Sequence, residues 1–140
     1  MKILLAVDGS AYTKHMLAYL AAHDELIGTL HGSTVAHIGT AIPPRAAAAV
    51  GKEVVKKYHD DEAEKVFKPI RAFFKQRQID ATFVHKVGPA GETIARLAEQ
   101  GKFDLVVMGS RGHAALINLV LGSVATKVMA QCSVPVLLVR

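Results

Sequence analysis

The chain has 140 residues, 51% of them hydrophobic and 21% charged. That balance excludes a disordered chain and predicts one globular domain over residues 1–140. A lone cysteine, Cys132, excludes a disulfide-stapled secreted fold and points to a reducing, cytoplasmic setting.

The first apolar run, Ile3–Val7, ends at the carboxylate of Asp8; it is too short for a signal-peptide core and reads as a strand. Helical spacing follows from about Ser10 to Ile27, with Met16, Leu17, Leu20 and Ile27 on one side, Ser10 as N-cap and Gly28 as the stop. Thr34–Ile38 is the second strand. Gly39–Ala46, with Pro43-Pro44, reads as loop. A long helical pattern then runs from about Ala47 to Arg77, where Pro69 should kink the helix or end a turn.

The formal net charge of +5 is not focused. Residues 51–77 hold eight Lys/Arg against five Asp/Glu, a solvated helix face rather than the one-signed stripe that nucleic acid selects. Thr82–Val87 is the third strand. The third helix spans about Pro89 to Gln100, with Pro89 in its first turn and Gly101 at its exit. Leu105–Met108 is the fourth strand. The greasiest stretch, Ala114–Leu121, is broken by Asn118 and falls short of the about 18 apolar residues of a membrane span. A fourth helix from about Ser123 to Ala130 precedes Pro135 and a last strand, Val136–Val139. The chain is thus expected to be soluble.

Near-continuous apolar strands alternating with crossover helices predict a doubly wound α/β fold. Its five-stranded parallel sheet has the order 3-2-1-4-5, with helices on both faces. Ligands in such sheets bind at the carboxyl ends of the strands where the winding reverses, here strands 1 and 4. After strand 1 comes Asp8-Gly9-Ser10. A carboxylate there repels phosphate, so Asp8 suits ribose hydroxyls or a divalent metal, or else caps a turn. After strand 4 comes Gly109-Ser110-Arg111-Gly112, then nine residues, then Gly122-Ser123 opening a helix. Glycines let backbone N–H groups face an anion, and the first-turn amides of Ser123 and Val124 add unpaired donors. No Gly-Lys-Ser/Thr follows, so this is no Walker loop; the balancing charge falls to Arg111, His113 or a metal.

The pattern Gly109-x2-Gly112-x9-Gly122-Ser123, with Val7-Asp8-Gly9-Ser10 and Val134-Pro135-Val136-Leu137-Leu138-Val139, resembles the universal stress protein family over the whole chain. The spacing is similar to that of its ATP-binding branch. The resemblance implies an adenine nucleotide alpha hydrolase-like, Rossmann-like fold with ATP in the crevice between strands 1 and 4. Asp8 would contact ribose, and Asp8 with Ser123 would hold Mg²⁺. Gly109, Arg111, Gly112, Gly122, Ser123 and Val124 would surround the phosphates, and the backbone of Ile38 would meet adenine. Family members pair through the last strand, so a homodimer through Val136–Val139 is implied. Partners are then ATP, a second copy and an unidentified regulatory protein, with no nucleic acid and no membrane.

The remaining candidates read as structure. His15, His23, His31, His37, His59, His85 and His113 show no close ligand spacing; Cys132 reads as a small packed hydrophobe, and Lys127 as a solvated lysine. No residue stands out as a catalytic base, so hydrolysis is expected to be slow at most. Leu116–Leu121 is either an element that orders on binding or one that packs on the sheet. A response-regulator receiver would need an acidic pair after strand 1 and an Asp ending strand 3, where Val87-Gly88 stands. A flavin carrier would need its phosphate loop where Asp8 is. The remaining rival is a nucleotide-free dimerisation module of the same fold.

Overall fold

Five short parallel strands line up in the order β3-β2-β1-β4-β5. The structure is a computed structural model and describes residues 1–28, 31–113 and 117–140. The strands are β1 (Lys2–Ala6), β2 (Gly32–Gly39), β3 (Ala81–Val87), β4 (Leu105–Gly109) and β5 (Val136–Val139). The helices between them are α1 (Ala11–Ala22), α2 (Pro44–Val50), α3 (Lys52–Gln76), α4 (Ala90–Gln100) and α5 (Ser123–Gln131). β1 lies at the centre, with Leu4 opposite Thr34 of β2 and Val106 of β4.

Strand periodicity sorts the core into two layers. Ile3, Leu5 and Val7 face α1 and α3, packing with Met16, Leu20, Phe67 and Ile70. Leu4 and Ala6 face α4 and α5, packing with Ile94, Ala98 and Val128. Ile3, Leu4 and Leu5 are wholly buried, each contributing roughly 1.5–3 kcal/mol of transfer free energy. With helices packed on both faces of the central strands, the strand ends are where a crevice can open.

Three local features depart from the sequence expectations. The first helix stops at Ala22, not Ile27, and a 3₁₀ turn covers Asp24–Leu26. The ring of His23 stacks on Tyr19 and its Nδ1 lies 2.9 Å from the Tyr19 carbonyl oxygen, so the side chain occupies an acceptor that a continuing helix would use. The long second helix begins earlier, at Pro44, and is two helices, broken at Gly51, whose φ is +87°. Pro69 does not end α3, which runs on to Gln76; the proline is exposed, so the carbonyl it leaves unpaired can face water. Among the described residues, no helix is long and apolar enough to cross a membrane.

Candidate functional site

The carboxyl ends of β1 and β4 part to form a cleft of about 530 Å³. Its floor is apolar, with Ile38 from the end of β2, Met108 from β4 and Ile94 from α4. Its walls are the two loops that follow β1 and β4.

The first wall is organised around Asp8. Its Oδ1 accepts hydrogen bonds from the Ser10 amide at 2.9 Å and from the Thr13 hydroxyl at 3.0 Å. The same hydroxyl accepts the amides of Asp8 and Gly9 at 3.1 and 3.2 Å. Ser10 occupies the N-cap position of α1, but its side chain makes no capping bond and its Oγ is buried without a partner. The N-cap expectation for Ser10 therefore holds for its backbone only; the carboxylate two residues earlier takes the polar role. Beneath this loop, buried His37 donates from Nδ1 to the Val7 carbonyl at 3.0 Å, which accounts for one histidine as structural.

The second wall is the glycine loop. The Gly122 amide donates to the Ser110 carbonyl at 2.7 Å, closing the loop on itself. A Cβ on Gly112 would stand 2.6 Å from Asp8 Oδ2, and one on Gly109 would stand 2.7 Å from Tyr12 Cβ. Gly112 is thus required where the two walls meet, and Gly109 where α1 packs on β4. His113 Nε2 lies 2.7 Å from the Asp8 carbonyl oxygen; a carbonyl only accepts, so Nε2 carries the hydrogen. Arg111 borders the cleft with its guanidinium 5.8 Å from the Tyr12 ring centre. Gly122 precedes α5 with no side-chain cap, so the first-turn amides at Ser123 and Val124 lack intrahelical partners.

Asp8, Ile38, Gly109, Arg111, Gly112, Gly122, Ser123 and Val124 all line this one cleft. Sequence reasoning passed over Thr13, Thr40 and Ala90, which line it too. The signal for Thr13 was present in Asp8-x4-Thr13, which puts a hydroxyl in the first turn of the following helix. Thr40 and Ala90 reach the cleft only through the sheet order, so no local pattern announces them.

Other candidates lie elsewhere. Lys127 pairs with Glu92 at 3.6 Å and does not border the cleft. Asp60 stands between Lys56 at 2.5 Å and His85 at 3.2 Å; the Lys56 hydrogen bond is the main cause holding its carboxyl below the usual range. Among the described residues, no three His, Cys, Asp or Glu side chains gather as a metal site. Within Leu116–Leu121, Leu116 lies outside the described residues. Ile117 is 96% exposed and Val120 72% exposed, so neither packs on the sheet; Leu119 lines the cleft, and Leu121 rests against the α4–α5 layer.

The universal stress protein family model matches residues 1–140. A universal stress protein of Synechocystis sp. is 36% identical over 99% of this chain, which spans 42% of that relative's length. A universal stress protein of Thermus aquaticus is 36% identical over 99% of this chain and 97% of its own. Among solved structures, a universal stress protein from Lactobacillus plantarum has a TM-score of 0.81 at 20% identity, covering 100% of this chain and 97% of its own. The universal stress protein from Archaeoglobus fulgidus in complex with dAMP has a TM-score of 0.69 at 20% identity, covering 100% of this chain and 98% of its own. An Arabidopsis thaliana family protein with AMP bound has a TM-score of 0.70 at 14% identity, covering 99% and 90%. The match along the whole length and the shared doubly wound sheet agree: the chain belongs to the universal stress protein family.

Proposed function

We propose that residues 1–140 form one domain that binds ATP in the cleft between β1 and β4 and works as a cytoplasmic, homodimeric, nucleotide-dependent stress-response protein. The observation that carries this reading is the convergence of an apolar floor, a carboxylate and the uncapped N-terminus of α5 on one cleft. An adenine ring suits the floor at Ile38, and ribose hydroxyls suit Asp8 Oδ2. Phosphates suit the amides of Gly112, Ser123 and Val124, with Gly109 and Gly122 shaping the loop and Arg111 supplying positive charge. The dAMP and AMP complexes of related structures support an adenine nucleotide.

Asp8 and the Ser123 hydroxyl are the oxygen donors that would hold Mg²⁺. Mg²⁺ commonly takes one or two protein oxygens and completes its shell with phosphates and water, so these two donors would suffice for an ion carried by the nucleotide. Bound Mg²⁺ would offset phosphate charge. Phosphoryl transfer also needs a group to orient the nucleophile. Hydrolysis is therefore slow at most, and occupancy acts as the signal to a regulatory protein partner by favouring one state of the protein over another.

A second reading, a nucleotide-free dimerisation module, is favoured by one observation. Packing alone explains why Gly109 and Gly112 lack side chains, since Tyr12 and Asp8 occupy the space. One experiment separates the two. The purified protein is denatured and any released nucleotide identified by mass spectrometry, and the emptied protein is then titrated with ATP by calorimetry. Co-purified or micromolar ATP supports the first reading; no nucleotide and no heat of binding supports the second.

A further inference from the structure

Thr13 lies five residues beyond Asp8, in the first turn of α1, and is 6% exposed. A threonine hydroxyl has one hydrogen to give and two lone pairs, and here all three are used. The hydrogen goes to Asp8 Oδ1 at 3.0 Å, and the lone pairs take the amides of Asp8 and Gly9 at 3.1 and 3.2 Å. The Ser10 amide, at 2.9 Å, is the second donor to Oδ1. Two donors on one oxygen fix the carboxylate plane. Among the described residues Oδ2 accepts no hydrogen bond, and it points to where a side chain on Gly112 would begin, at the meeting of the two walls.

We infer that Thr13 is a positioning residue for nucleotide binding: its hydroxyl clamps Oδ1 so that Oδ2 of Asp8 is held ready for the sugar hydroxyls. This rests on the reading of the cleft as a nucleotide site. It goes beyond that reading because it gives the recognition of ribose to a side chain that reaches the sugar only through Asp8. In water the free carboxylate would turn about its terminal torsion, which has broad wells; the clamp removes that freedom before the ligand arrives, so less ordering is needed on binding. The threonine methyl lends nothing to the clamp, so serine should replace it and valine, its near-isostere, should not.

The test compares ATP with 2′,3′-dideoxy-ATP, which lacks the hydroxyls that Asp8 would hold. Calorimetric Kd values are measured for the wild type and for Thr13→Ser and Thr13→Val. Thr13→Ala, with a better helix former, serves if valine prevents folding. The expected result is a loss of about tenfold for ATP in the valine or alanine variant, the scale of one hydrogen bond to a charged group. With the titrations run without Mg²⁺, so that Asp8 can act on the nucleotide only through the sugar, the dideoxy nucleotide should bind wild type and variant alike, and serine should restore ATP affinity. A loss that is equal for the two nucleotides, or no loss for ATP, overturns the role of Thr13 while leaving the nucleotide site standing. A wild type that binds neither nucleotide overturns the nucleotide reading and this inference with it.

Discussion

Gly112 and Asp8 meet so closely that a methyl group at position 112 would stand 2.6 Å from the carboxylate oxygen Oδ2. The contact joins loops 104 residues apart, and both residues line the cleft. His113, the next residue, adds a hydrogen bond to the Asp8 carbonyl at 2.7 Å, so the glycine loop is tied to the β1 loop at two adjacent points.

Gly112→Ala should therefore part the walls. Alanine has no room at its Cβ, and the loop must lift away from Asp8. We expect ATP affinity to fall by at least tenfold, or about 1.4 kcal/mol, with little change in the far-ultraviolet circular dichroism spectrum. Calorimetry on wild type and variant reads the first quantity. An unchanged Kd would show that the contact does not shape the nucleotide site.

Gly122→Val acts on the other end of the loop. Its Cβ would stand 3.1 Å from Arg111 Cα and 3.3 Å from the Ser110 carbonyl. The side chain thus begins against the loop's own backbone and would lever apart the bond between the Gly122 amide and Ser110. Loss of ATP binding with retained fold and dimer is the expected outcome, checked by calorimetry and sedimentation. Wild-type affinity would remove Gly122 from the site.

The acid limb of the stability curve should carry a signature of Glu99. Its Oε1 accepts both the hydroxyl and the amide of Ser133 at 2.6 Å, joining α4 to the turn before β5. The side-chain hydrogen bond from Ser133 is the larger cause, and its amide the next, holding the carboxyl below the usual range. A carboxyl whose folded pKa is depressed contributes stability that is fully present above its unfolded value and is lost as pH falls through the folded one. Melting temperatures of wild type and Glu99→Gln should differ at neutral pH and converge as the pH drops below the ordinary carboxylate range. A gap that stays constant to low pH would show that the charge of Glu99 is not what matters.

The proposed dimer has a backbone test at the β5 edge. The Pro135 and Val139 carbonyls accept from Val106 and Ser110 of the β4 side. Alternation along the strand then turns the Leu138 N–H outward, away from β4. Leu138→Pro removes that outward donor while leaving the ladder to β4 its bonds. Sedimentation should show a dimer for wild type and a monomer for the variant. A variant that remains dimeric would move the interface away from this edge.

The five strands were legible because each is a short, largely apolar run bounded by turn residues, and the observed bounds differ from the expected ones by two residues or fewer. Ile3–Val7 became Lys2–Ala6, and Val136–Val139 was unchanged. The strand order is the usual one for five such strands, and the place of the cleft follows from it. Gly109-x2-Gly112 and Gly122-Ser123 are visible as local patterns at strand and helix ends, and all four residues line the cleft.

Local pattern was less informative about backbone breaks and packing contacts. Gly51 looked like one more position in a long helix, yet the chain takes φ +87° there and α2 carries no buried residue. Ser10 stands at the N-cap of α1 as expected, but its hydroxyl makes no capping bond, and its amide donates to Asp8 Oδ1. Gly109 lines the cleft and also stands where a Cβ would meet Tyr12, a packing contact that no local pattern announces. Hydrophobic periodicity and turn chemistry are written in neighbouring residues, so the sequence by itself determined the element types, their order and the end of the sheet that holds the cleft. Which glycine meets which side chain, Gly112 with Asp8 and Gly109 with Tyr12, depends on atoms brought together from distant parts of the chain, and only the tertiary structure decided it.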